Sequence, residues 1–172
     1  MARKVKQKPS FCPTFKWLLE NPIRLLGFGL GAGLSPIAPG TVGTLVALPF
    51  AALLLWLGLP IWNLIILSII AFPIGVKICD VCEKHLGVSD YGGIVFDEIA
   101  AMWLILGCIP FTAIWWILAF IAFRFFDALK PFPIRWFDKR IHGGFGVMLD
   151  DYIAALMCII LFFATNLLLT FL

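Results

Sequence analysis

Charge is absent from residues 25–76, 99–123 and 152–172 and is confined to the segments between them. Holding a charge at a bilayer centre costs roughly 2.5–3.5 kcal/mol on insertion scales, so three cleared stretches of this length answer to lipid. Cut at their Gly and Pro positions into lengths suited to a hydrocarbon core about 30 Å thick, they predict five membrane helices. The first covers residues 44–57 and turns at Gly58 and Pro60, and the second covers 61–80. The third covers 97–109 and is broken by Pro110, and the fourth covers 112–129 and is ended by Pro131 and Pro133. The fifth covers 151–172. Pro49 and Pro73 fall inside spans, which membrane helices tolerate. The first and third spans are short, so tilt or local bilayer thinning is expected of them.

Followed through these spans, all 13 Lys and Arg fall on the side of the N-terminus, which the positive-inside bias makes the cytoplasm. The acids follow them: Asp80, Asp97, Glu98, Asp127, Asp150 and Asp151 come from different helices yet are expected at one surface. Residues 11–24 read as a short interfacial helix, with Arg3, Lys4, Lys6 and Lys8 upstream to attract anionic lipid. The organisation expected is therefore a basic tail with an interfacial helix, residues 1–24, followed by an all-α membrane-embedded domain, 25–172. At 62% hydrophobic and 13% charged, the composition excludes an ordinary soluble domain. The first ten residues are too polar to open a simple signal peptide, and the N-terminus is expected to be retained. The five cysteines show no disulfide framework, and Cys79 with Cys82 lacks the second pair a zinc site needs, so both read as small packing residues.

Asp97-Glu98 and Asp150-Asp151 are expected to open the third and fifth spans. One carboxylate suffices to cap a helix, for about 0.5–2 kcal/mol, and two adjacent ones repel. Two such doublets at one surface point to a divalent cation such as Mg²⁺, which takes carboxylate oxygens. Arg124, Asp127 and Lys130 are spaced by three and share a helix face. They form either a chain of ion pairs or part of a site, since Asp127 stands among phenylalanines and needs a partner. Arg135, Asp138, Lys139, Arg140 and His142 follow in a largely basic loop suited to a phosphate, with His142 a candidate general acid. The Gly-rich run at residues 27–44 reads as a loop offering N–H groups and the hydroxyls of Ser35, Thr41 and Thr44 to an anion. It lacks the nucleotide-binding P-loop pattern, and no nucleic-acid partner is expected.

The segments GLSPIAPGTVGT at 33–44, IVFDE at 94–98, RFFDALKPFPIRWFD at 124–138 and HGGFGVMLDD at 142–151 resemble the phosphatidylglycerophosphatase A family, in the family's order. The resemblance implies a Mg²⁺-dependent phosphatase of the bacterial inner membrane that converts phosphatidylglycerophosphate to phosphatidylglycerol and inorganic phosphate. On that reading Asp97, Glu98, Asp127, Asp150 and Asp151 are candidate metal ligands. Ser35, Thr41, Thr44, Arg124, Lys130 and Arg135 are candidates for substrate binding, and Asp127, Lys130, Arg135, Asp138 and His142 for catalysis. Water and an Asp, Asp127 first, both stay open as nucleophile. A phosphatidyl-group transferase shares the membrane, metal and acids, but its DGxxAR pattern is absent. A small transporter would carry its polar groups near the bilayer midplane instead.

Overall fold

The computed structural model describes residues 11–170, and these form helices and turns without a β-strand. The basic residues expected to attract lipid at positions 3–8 lie outside the described residues. Where one interfacial helix was expected there are two, α1 (Phe15–Leu19) and α2 (Pro22–Gly27). Asn21 separates them, because its side chain caps α2 at Ile23 N and Pro22 supplies a ready first helical turn. A 3₁₀ segment, Gly29–Leu34, carries the chain through positive φ at Gly29, Leu30 and Gly31, which is where the Gly-rich run is spent.

Five longer helices follow: α3 (Pro39–Trp56), α4 (Asn63–Leu86), α5 (Phe96–Cys108), α6 (Ala113–Leu129) and, after the short α7 (Ile134–Asp138), α8 (Gly143–Thr170). α3 begins at Pro39 rather than Thr44, so Thr41 and Thr44 belong to helix and not to loop. α4 continues past Asp80 to the left-handed Gly87. The expectation that Asp150 and Asp151 open the last helix is overturned. α8 starts at Gly143, about two turns earlier, and Asp80 of α4 accepts the Gly144 N–H at 2.6 Å. A carboxylate from a neighbouring helix thus does the capping, which leaves the doublet inside α8 for other work.

Among the described residues three helices are long and apolar enough to cross a membrane, Pro39–Trp56, Asn63–Leu86 and Gly143–Leu168. α5, of 13 residues, and α6, of 17, are shorter. α5 is the central element, with Ala100, Ala101, Met102, Ile105 and Leu106 fully buried against α3, α4 and α8. Small residues allow the close approach that holds helices together in lipid: Gly43 sits against Val95, Gly75 against Met148 and Gly107 against Ile65. A polar clasp adds to this. Tyr152 of α8 donates to Ser68 O at 2.6 Å, and Ser68 Oγ of α4 donates to Ala100 O of α5 at 2.7 Å. Ile114 of α6 and Ile160 of α8 are among the large apolar side chains left on the outside, as lipid contact requires.

Candidate active site

The start of α5 is fixed by the Val95 N–H, which donates to Gly27 O at 2.8 Å and ties the helix to the end of α2. This puts Asp97 and Glu98 in the first turn, where the helix dipole favours negative charge. Val95, which precedes the helix, supplies no side-chain cap. Asp97 and Glu98 both meet Asp151, which α8 delivers from its third turn. One oxygen from each of Asp97, Glu98 and Asp151 lies within 4.8 Å of the other two.

Asp97 and Asp151 are buried, and Asp97 Oδ1, Glu98 Oε2 and Asp151 Oδ2 have no hydrogen-bond partner. Each such orphan costs roughly 1–3 kcal/mol, more when charged, and the three groups repel one another. A divalent cation among them relieves both penalties. The donor set is all oxygen, which fits Mg²⁺ or a similar hard ion.

Cations hold the second rank of acids. Arg124 of α6 reaches Asp127 Oδ2 at 2.8 Å and Glu98 Oε1 at 3.7 Å, and it donates to Thr44 Oγ1 at 3.5 Å. Thr44 is fully buried and donates in turn to Gly40 O at 2.9 Å, so α3 acts as a backstop for the guanidinium. Lys130 ends α6 in the left-handed region at φ 44° and bridges Asp150 at 2.9 Å and Asp138 at 3.0 Å. Burial works against its charge, yet the hydrogen bonds and charges of Asp150 and Asp138 prevail and raise its pKa above that of an ordinary lysine.

These groups share one cavity of about 1260 Å³, which Ser35, Asp97, Glu98, Arg124, Asp127, Lys130, Asp138, His142, Asp150 and Asp151 all line. His142 is exposed at its rim, and Ser35 Oγ is spent on Ile37 O at 2.8 Å. Thr44 lies behind Arg124, and Thr41 and Arg135 are not on the wall. Arg135 opens onto a neighbouring cleft of about 440 Å³. Sequence reading missed Glu83, Asp90 and Tyr91, which also line the cavity, and Gly40. A Cβ at Gly40 would overlap the Glu98 carboxylate, so glycine there leaves that carboxylate its place against α3. With Glu83 and Asp90 included, carboxylates far outnumber the two cations Arg124 and Lys130, so an incoming phosphate needs further positive charge.

The family model for phosphatidylglycerophosphatase A matches residues 25–166, a range that holds every carboxylate of the cavity. Phosphatidylglycerophosphatase A of Escherichia coli (strain K12) is 44% identical over 140 residues, 81% of this chain and 80% of that protein. The protein of the same name from Haemophilus influenzae is 44% identical over 154 residues, 88% of this chain and 93% of its own length. A Bacteroides thetaiotaomicron protein described as a candidate phosphatidylinositol-3-phosphatase is 34% identical over 168 residues, 90% of this chain and 94% of that one. No solved structure matches.

Proposed function

Since this chain belongs to the phosphatidylglycerophosphatase A family, we propose that it removes the terminal phosphate of phosphatidylglycerophosphate and releases phosphatidylglycerol and inorganic phosphate. The observation that carries the mechanism is the set of unpartnered buried oxygens on Asp97, Glu98 and Asp151. These three would hold Mg²⁺, with Asp127 and Asp150 beside them. Bound there, such an ion offsets the charge of the phosphoryl oxygens and lowers the pKa of a water.

The protein's own groups supply the rest. Arg124 has one nitrogen engaged by Asp127 and Glu98, and its remaining N–H groups can take a phosphoryl oxygen. Lys130 bridges Asp150 and Asp138 and offsets part of their negative charge at the same wall. Asp127, fixed by Arg124, is the carboxylate nearest in role to a base or a nucleophile. His142 at the rim can protonate the leaving glycerol oxygen.

Five crossings, with the N-terminus and acid cavity on the cytoplasmic face of a bacterial inner membrane, agree with the clustering of Lys and Arg. On this arrangement α5 and α6 are a short hairpin that crosses by tilt or local thinning. The reacting phosphate then meets the acids at the interface while the acyl chains stay among the helices. The direct test follows phosphate release from phosphatidylglycerophosphate in detergent with Mg²⁺ and identifies the lipid product by mass. Phosphatidylglycerol is expected. Release from phosphatidylinositol-3-phosphate but not from phosphatidylglycerophosphate would move the substrate to the other lipid.

A further inference from the structure

Beside the acid cavity, and sharing Lys130 with it, lies a cleft of about 440 Å³ of opposite character. Arg135, Lys139 and Arg140 line it together with Phe132 and Trp136. Among the described residues no ion pair joins any of these three cations to a carboxylate. The Arg140 guanidinium lies 4.0 Å from the centre of the Trp136 ring and donates to Trp136 O at 3.4 Å, which fixes its plane. Phe132 is 80% exposed and Trp136 44%, so apolar surface stands next to unpaired positive charge. That pairing suits the level of lipid head groups, where aromatic rings and basic side chains settle together.

We propose that this cleft binds the inner phosphodiester of the lipid whose terminal phosphate enters the acid cavity. The inference rests on the reading that the substrate is phosphatidylglycerophosphate, which carries two phosphates joined through one glycerol. The two sites differ as the two phosphates do. A terminal monoester is the more highly charged and is the one attacked, so it goes to the carboxylate set that needs a metal. The inner diester carries one negative charge and undergoes no change, so guanidinium and ammonium groups suffice for it. Lys130 forms the common wall, and α7 presents Asp138 to one side and Arg135 to the other. Hydrogen bonds to a phosphate that does not react are equally strong in ground and transition states, so removing them raises KM and leaves kcat.

Phosphatidylglycerol retains the inner diester and lacks the terminal phosphate, which makes it a probe of the cleft that needs no turnover. Its binding is measured by calorimetry in neutral detergent for the wild type and for Lys139→Gln with Arg140→Gln, beside steady-state kinetics on phosphatidylglycerophosphate. Without the two charged donors, affinity for phosphatidylglycerol should fall and KM should rise, each roughly tenfold or more, with kcat and inhibition by inorganic phosphate unchanged. Lys139→Arg, which keeps the charge, should behave as wild type. Equal affinity and equal KM in the doubly substituted protein overturn the proposal, as does a loss of kcat at constant KM. An effect seen only in anionic vesicles also overturns it and gives the cleft to lipids of the surrounding bilayer. Wild type that binds phosphatidylglycerol through Lys139 and Arg140 yet releases no phosphate from phosphatidylglycerophosphate would sink the functional reading and leave the cleft standing.

Discussion

At Gly40 the backbone of α3 passes so close to the Glu98 carboxylate that an added Cβ would overlap it. The Glu98 side chain can yield, so Gly40→Ala is expected to leave the protein folded while displacing one member of the acid set. A misplacement near 1 Å costs roughly 10²-fold, and phosphate-release assays should show a fall in kcat/KM of that order with little change in melting temperature. Near wild-type turnover would show that Glu98 has room to spare. Lys130→Met tests the second rank. It takes the cation away from Asp150 and Asp138, and because Lys130 is itself 31% exposed the cost is discounted from the full buried-pair value to about 1–2 kcal/mol, read as a lower melting temperature in detergent. The types of residue at the site were legible in the sequence, since so apolar a chain confines its few acids and bases to the segments between its cleared stretches. Their pairings were not. Thr44 reads as a hydroxyl for an anion but serves Arg124, and Gly40 looks like any other glycine in its run until α5 is placed beside it.

Helices were legible wherever charge and proline mark their ends, as at Leu129 of α6 and in the turn between α5 and α6. They were misread where the end is capped from elsewhere. α8 begins at Gly143 because Asp80, distant in sequence, accepts from Gly144, and no local pattern announces that. The consequence is functional, because a helix starting there carries Asp151 in its third turn, level with the opening turn of α5. The Tyr152–Ser68 clasp fixes the same register from the residue after Asp151. Tyr152→Phe should therefore destabilise the protein by about 0.6–1.7 kcal/mol and raise the Mg²⁺ concentration needed for half-maximal activity several-fold, while kcat at saturating Mg²⁺ stays near wild type. An unchanged Mg²⁺ requirement would separate the clasp from the acid set.

For the whole molecule, the distribution of charge supplied the membrane assignment and the gathering of acids at one end, both properties of the entire sequence. The same distribution predicts sidedness. In a background lacking Cys12 and Cys108, Phe111→Cys in the turn between α5 and α6 should be labelled by an impermeant maleimide in intact spheroplasts, and Lys139→Cys only after permeabilisation. Protection of Phe111→Cys would mean that α5 and α6, the two shorter helices, do not cross. Most depends on whether Asp97, Glu98 and Asp151 hold a divalent cation, because each has a buried oxygen without a hydrogen-bond partner and, among the described residues, the one ion pair to the set is that of Arg124 with Glu98 at 3.7 Å. Electron paramagnetic resonance of Mn²⁺, used in place of Mg²⁺, reads that binding without turnover. Wild type should bind Mn²⁺ in competition with Mg²⁺, and Asp151→Asn and Asp97→Asn, both folded by thermal melt, should lose at least tenfold in affinity. Equal Mn²⁺ affinity in the wild type and both variants would contradict the assignment.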